Sequence, residues 1–324
     1  MAKVVRELLI RRLAEGKFIS GQVLAQELGV SRTAISKHIK VLNEMGLDIF
    51  SVQGKGYKLA YPIKLLDNTK ISELLLARNK SNYVEVHSII DSTNSYLMRR
   101  LPNNIRNGQV CISEYQSAGR GRRGKQWVSP FASHLYLSMY WRLDQGISSA
   151  MGISLVVGLA VSDVLKKDYD LDVQLKWPND IYVNGRKLAG ILVELEGQST
   201  GPGNCILGLG LNISMPTYSG SKIDQPWTDL EQELGFRVDR NELAASLIDK
   251  IAHKLELHNK YGMAPMLDDW QRHDLYINKP VKLVTGDKET RGISRGININ
   301  GALLLEVDGK RQPFYGGEIS LRGM

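Results

Sequence analysis

A chain of 324 residues is long enough for two or three domains, which excludes a peptide or a lone small module. Hydrophobic residues at 43% and charged residues at 23% exclude collagenous, low-complexity and wholly disordered classes, and Cys111 and Cys205, far apart, fit neither a disulfide framework nor a zinc site. The net charge of +8 is concentrated: residues 1–64 hold eleven basic against five acidic side chains, as expected of a polyanion-binding module on a nearly neutral body.

In chain order, Met1 to Arg12 is charged within six residues and has no signal-peptide core, which predicts a cytoplasmic protein. Leu8, Leu9 and Leu13 predict the buried face of a first helix, and Val23, Leu24 and Leu28 that of a second, which stops at Gly29. Ser31 is positioned to cap a third helix whose Ile35, Ile39, Leu42 and Met45 form a buried stripe. The opposite face carries Arg32, Thr33, Ser36, Lys37, Lys40 and Asn43 without one carboxylate. That is the pattern of a helix-turn-helix reading the major groove, with Ser31 at the entry of the recognition helix. His38 reads as a helix-surface or phosphate-contacting residue. Residues 49–52 and 57–59, joined by Gln53-Gly54-Lys55-Gly56, predict a wing whose Lys55 and Lys58 meet phosphate. A solvated basic face used for protein contacts is the alternative reading of these residues.

Pro62 to Asn68 breaks the pattern and opens a second domain. Strands are expected over 84–90, 109–115, 134–143, 172–177, 180–184, 187–195 and 204–213, with Asn184-Gly185 turning one hairpin; residues 134–143 alternate as a strand with one buried face. Ala150 to Val161, the most apolar run, is shorter than the roughly 20 residues that span a bilayer, and reads as part of a buried helix over 147–167, so no membrane partner is expected. Helices over 239–259 and 262–272 close the domain. Hairpin-linked strands with few interleaved helices predict a mixed, mainly antiparallel α/β sheet. From Pro280 onward, short glycine-punctuated strands predict a small all-β barrel. The expected domains are 1–64, 65–274 and 275–324.

Gly119-Arg120-Gly121-Arg122-Arg123-Gly124 formally matches a dinucleotide-binding GxGxxG, and with Lys125 it approaches a P-loop. Gln126 stands where a P-loop requires Ser or Thr, and Trp127-Val128-Ser129-Pro130 does not begin a helix, so both matches are set aside. A flexible loop with three guanidinium groups can still fold over a phosphate ester and shut out water. A mobile basic surface loop is the alternative.

This loop with Trp127, the segment Lys176-Trp177-Pro178-Asn179-Asp180, and Lys187-Leu188-Ala189-Gly190-Ile191-Leu192-Val193-Glu194 resemble the signature motifs of biotin protein ligases. With the winged helix, the whole chain resembles the bifunctional branch of that family, ligases that also repress biotin-synthesis genes. The resemblance implies a class II synthetase-like central domain and an SH3-like C-terminal barrel. It implies ATP, biotin and Mg²⁺, the intermediate biotinyl-5'-AMP, and transfer to a lysine of a biotin carboxyl carrier protein. It also implies an adenylate-bound homodimer on an inverted-repeat operator. Residue by residue, it makes Lys187, Arg120 and Arg122 catalytic, and it places Ser92, Thr93, Asn94, Gln116, Gly119, Gly121, Gly190 and Leu192, with those three, around biotin. Trp127, Lys176, Asn179, Asp180, Asn212, Trp227 and Arg322 fall on the nucleotide side. Between Met215 and Trp227 the chain departs from the family's apolar loop, offering Tyr218 and Ile223 but also Pro216, Gly220, Lys222 and Pro226. A biotin-responsive transcription factor without catalysis, and a ligase whose winged helix is only an interaction module, are the competing readings.

Overall fold

The computed structural model describes residues 2–101, 105–144, 146–198, 201–316 and 319–323. Helices α1 (Ala2–Ala14), α2 (Gly21–Glu27) and α3 (Arg32–Glu44) pack with the hairpin β1 (Ile49–Val52) and β2 (Gly56–Leu59). Gly29 takes φ +64° at the turn, and the Ser31 hydroxyl accepts from Ala34 N at 3.1 Å, so the two signals that predicted the helix-turn-helix act as read. The inner stripe differs. Val5, Leu9, Ile10 and Leu13 are buried in α1 and Leu24 in α2, whereas Leu8 and Val23 are exposed, because each lies a third of a turn away from the face that meets α3.

A helix not foreseen in the sequence, α4 (Asn68–Leu76), starts where Asp67 accepts from Lys70 N. The central sheet contains β3 (Val84–His87), β4 (Val110–Ser113), β5 (His134–Leu143), β6 (Gln174–Lys176), β7 (Asp180–Val183), β8 (Arg186–Glu196) and β9 (Gly203–Asn212), in the order β3-β4-β5-β9-β8-β7-β6. The β3–β4 pair is parallel and the rest antiparallel, as the expected mixed sheet requires. α5 (Thr93–Arg100) covers one face; α6 (Ile153–Tyr169) packs on the other, behind a 3-10 turn at Ile147–Ala150. Further along come α7 (Thr217–Gly220), α8 (Leu230–Leu234), and α9 (Arg240–Tyr261), which packs with α6. β5 therefore does not have one buried face but two: Leu137 and Met139 join the α6/α9 core, and Tyr140 joins the cluster under α5. Among the described residues one run, Ile147–Tyr169, is long and apolar enough by length and composition to cross a membrane, longer than the sequence reading allowed; its α6 residues lie in the central core.

The expected helix over 262–272 divides into a 3-10 turn at Ala264–Met266, with Pro265 inside it, and α10 (Leu267–His273). The C-terminal strands are β10 (Pro280–Thr285), β11 (Lys288–Ile297), β12 (Leu303–Val307), β13 (Lys310–Phe314) and β14 (Ile319–Gly323). They form one antiparallel sheet in the order β13-β12-β11-β10-β14; among the described residues β13 and β14 are not paired to close a barrel. Val281, Leu283, Leu303, Leu305 and Leu321 share the central hydrophobic core, and Trp177 Nε1 donates to Gly301 O at 3.1 Å, so this sheet forms a wall of the central domain.

The winged helix is also docked. Phe131 is buried in its core and Phe131 N donates to Met45 O at 2.9 Å. A methyl added at Gly46 would stand 2.9 Å from the Pro130 side chain, so this close approach requires glycine. The connecting segment is held by a buried ion pair, Arg240–Glu114 at 2.6 Å: Glu114 accepts from Leu66 N at 2.5 Å, and Arg240 donates to Lys64 O at 2.8 Å.

His134 is fully buried beside this pair. Its Nδ1 accepts from Ile213 N at 2.9 Å, which puts the proton on Nε2, 3.3 Å from Met215 Sδ. Burial first, and then the Arg240 cation, push its pKa down to about 3 against an ordinary value of 6.5. Between those values the unfolded chain binds the proton and the folded one does not. Stability from this group is therefore complete above pH 6.5 and is lost as pH falls, by about 1.4 kcal/mol per unit. We expect the difference in unfolding free energy between the native protein and His134→Asn to shrink at that rate from pH 6 to pH 4. A constant difference in denaturant titrations would remove this assignment.

Candidate active site

The cavity that gathers the predicted residues opens over β8 and β9, between the loop 116–127 and the C-terminal sheet, with a volume of about 560 Å³. At one end, α5 begins: Ser92 caps it, and Ser92, Thr93 and Asn94 are buried. Gln116 Oε1 accepts from Thr93 N at 2.8 Å and Thr93 Oγ1 at 3.1 Å, and Gln116 Nε2 donates to Ser129 Oγ at 3.3 Å. Ser138, from the centre of β5, lies 2.7 Å from Thr93 Oγ1 and 2.5 Å from Asn94 Oδ1. The result is a polar, largely buried end suited to a small heterocycle with its own donors and acceptors.

The floor is made of glycine. Gly190 and Gly210 face each other across β8 and β9, and a methyl on Gly210 would come within 2.5 Å of the Trp127 ring. The indole can lie directly on the sheet because neither strand presents a side chain there. Its Nε1 is buried without a hydrogen-bond partner among the described residues. Lys187 Nζ stands 5.5 Å from the Trp127 ring centroid and 2.8 Å from Asp180 Oδ1. Lys187 is anchored along its backbone as well, since its N donates to Pro226 O and its O accepts from Thr228 N, both at 3.0 Å.

At the other end, Arg122 Nη1 donates to Asn179 Oδ1 at 2.9 Å, and Asn179 Nδ2 donates to Ile191 O at 2.7 Å. Burial lowers the Arg122 pKa while Asp180 opposes the shift. Lys176 is likewise lowered, first by burial, with Lys187, Arg322 and Lys125 adding to it and Asp180 opposing. Among the described residues seven cationic side chains line the cavity, Arg120, Arg122, Arg123, Lys125, Lys176, Lys187 and Arg322, against the carboxylates Asp180 and Asp224. Such an excess awaits an anion of several charges.

The cavity also takes in Gly121 and Leu192. Gly119 lies outside its lining, where a side chain would strike Ser129 Oγ at 2.6 Å. Asn212 and Trp227 line a separate hollow of about 50 Å³ that shares Gln126, Trp127, Lys187 and Gln225 with the main one; Asn212 Nδ2 donates to Thr228 O at 3.0 Å and Trp227 packs on Gly220. Arg123 takes its place with the other two loop arginines, whereas Ser138, Glu194, Gly208, Gly210 and Lys125 were not singled out as site residues from the sequence. Among the described residues no group of three or more His, Cys, Asp or Glu could hold a metal ion. On the winged helix, Ser31, Arg32, Thr33, Ser36, Lys37, Lys40 and Lys55 are exposed, Lys58 is half-buried, and the Lys55 and Lys58 ammonium groups flank the Phe18 ring at 6.0 and 5.6 Å. His38 is half-buried, with its pKa lowered by burial and then by Arg6.

A cation-lined cavity with a buried polar end, joined to a helix-turn-helix with a basic outer face, defines a nucleotide-using enzyme with a DNA-reading head. Residues 86–212 match the biotin/lipoate A/B protein ligase family, residues 5–58 an HTH domain and residues 276–322 the biotin protein ligase C-terminal domain. The chain is 51% identical to the bifunctional ligase/repressor BirA of Salmonella typhimurium over 97% of its own length and 96% of that protein. It is 28% identical to the Bacillus subtilis bifunctional ligase/repressor BirA, covering 99% of this chain and 100% of that one. The structure superposes on the Aquifex aeolicus biotin protein ligase in complex with biotin and ATP with a TM-score of 0.65 at 26% identity, over 75% of this chain and 99% of that one. The chain belongs to the family of bifunctional biotin protein ligases and repressors.

Proposed function

We propose that this protein joins biotin to ATP as biotinyl-5'-AMP, transfers the biotinyl group to a lysine of a biotin carboxyl carrier protein, and represses the biotin operon with the adenylate as corepressor. The observation that carries the enzymatic reading is the crowding, among the described residues, of seven cations against two carboxylates around one cavity. In the first step a biotin carboxylate oxygen attacks the α-phosphorus of ATP and pyrophosphate leaves. In the second, the carrier's lysine attacks the acyl carbon and AMP leaves. Neither step needs an enzyme nucleophile. Both anions must be brought together against their repulsion, which is work for fixed cations.

Lys187 lies between the two ends of the cavity and in this reading bridges the carboxylate and α-phosphate, with Arg120 and Arg122 closing over them. Ser92, Thr93, Asn94 and Gln116 hold the ureido head of biotin, with Gly119, Gly121, Gly190 and Leu192 along it. Trp127 stacks on adenine; Lys176, Asn179, Asp180, Asn212, Trp227 and Arg322 serve the nucleotide. Asp180 would be the residue to help hold an Mg²⁺, which when bound would supply charge neutralisation to the ATP phosphates. Boundaries near residues 64 and 274, and a cytoplasmic location, belong to the same proposal. Biotin-dependent exchange of labelled pyrophosphate into ATP tests it, because only adenylation produces that exchange; a protein that binds biotin without exchange is a sensor and not a ligase.

Arg32 and Lys37 project from α3 on the face away from its core. Arg32→Ala and Lys37→Ala should each weaken operator binding about tenfold and flatten its salt dependence, with ligation unaltered. Equal losses of both activities would refute the division of labour. For repression to report biotin supply, the adenylate must favour the DNA-binding state by a differential free energy. We place that state in a homodimer formed through the central sheet, reading an inverted repeat with two winged helices. The arginines of the 120–123 loop couple the two roles, and unbiotinylated carrier competes for the same surface. Sedimentation and DNA titration with and without a non-hydrolysable adenylate analogue should show dimerisation and operator affinity rising together; equal values in both conditions sink the coupling.

A further inference from the structure

Glu194 was not among the residues expected to act, and its position explains how the loop over the biotin end is held. The loop 116–127 is anchored at its start, where Ser117 N and Ala118 N donate to Ile90 O and Asp91 O, and from Gly119 onward it closes on itself: Gly121 N donates to Lys125 O at 2.7 Å and Trp127 N to Gly119 O at 2.9 Å. Besides the Gln116–Thr93 contacts at its base, its arginines reach the cavity walls at both ends. Arg122 reaches Asn179 at the nucleotide end. Arg120 reaches β8 at the other end, where its Nη2 donates to Glu194 Oε2 at 2.9 Å.

The same carboxylate oxygen accepts from Asn94 Nδ2 at 2.8 Å. Asn94 is fixed from below, because its amide lies on Gly208, where a methyl would come within 2.3 Å of Oδ1, and its other donor contact is Leu192 O at 3.3 Å. One oxygen thus ties the arginine loop to the floor of the polar end.

We propose that Glu194 is a positioning residue that latches the arginine loop over bound biotin through Arg120, and so sets how long biotin and its adenylate are retained. This rests on the reading of the polar end as the biotin site. The latch is partly exposed, with Arg120 and Glu194 side chains at 45% and 23% accessibility, so it is an adjustable closure open to screening by salt.

Glu194→Gln keeps an acceptor for Asn94 and removes the charge that Arg120 pairs with. Biotin release measured by stopped-flow should quicken about three- to tenfold in this variant. Release from the native protein should accelerate with added salt, whereas release from the variant should hardly respond, a difference that a merely structural substitution would not produce. In an Arg120→Gln background, the Glu194 substitution should change release less than twofold, because its partner is already gone. Native-like release and salt response in Glu194→Gln, or equal effects in both backgrounds, overturn the latch while leaving the biotin site intact. Failure of the native protein to bind biotin overturns the site reading and the latch with it.

Discussion

Replacing Lys187 by alanine is expected to cut adenylate formation, read as biotin-dependent pyrophosphate exchange, by about 10²–10³-fold while the protein stays folded. The Lys187 ammonium lines the cavity with residues of both its ends, 2.8 Å from Asp180 and 5.5 Å from the Trp127 ring centroid. Asp180 pairs with it, and when a carboxylate and an α-phosphate arrive it is the charge placed to meet both. Its removal acts most where negative charge accumulates, so the loss should fall on the exchange rate at saturating substrates more than on biotin affinity. Lys187→Arg should recover part of the rate, since charge is restored without the same reach. Exchange within tenfold of native in Lys187→Ala would take this residue out of the chemistry.

The second large effect is on stability. Glu114→Ala should lower the unfolding free energy by about 3–5 kcal/mol, because it strands the buried Arg240 guanidinium. Arg240 and Glu114 side chains are only 7% and 3% accessible, so water cannot replace the lost partner. The substitution also deprives Leu66 N of its acceptor. Glu114→Gln, which keeps an acceptor but no charge, should lose less. An unfolding free energy from denaturant titration within about 1 kcal/mol of native for Glu114→Ala would show that the pair is idle.

Much of this architecture was legible because its signals are local. Gly29, Ser31 and the Ile35–Ile39–Leu42 stripe lie within one another's reach along the chain, and each acts as its chemistry dictates. The cavity's motif residues in 92–94, 116–127, 176–180 and 187–192 also came together, since each segment is one short stretch of chain: the start of α5, a loop, the β6–β7 turn and the first half of β8. What was missed depends on pairings across the sheet or across long separations. Glu194 is 74 residues from Arg120, and Glu114 is 126 from Arg240, so no spacing rule joins them. Gly190 and Gly210 form a floor only because the β8–β9 register sets them opposite each other. α4 was overlooked for a different reason: its cap follows a proline break, and its buried positions, Ile71 and Leu75, make a stripe of only two.

The hydrogen bond from Phe131 to Met45, with Gly46 pressed on Pro130, means that the DNA-reading head is a fixture and not a bead on a string. The segment behind it is pinned at Lys64 and Leu66, which leaves little slack for the head to swivel. In the proposed dimer, the distance and twist between the two reading helices are therefore built into the protein. An operator with one base pair added between its half-sites would have to be unwound by the DNA itself, so spacing becomes a recognised feature of the sequence alongside the bases touched.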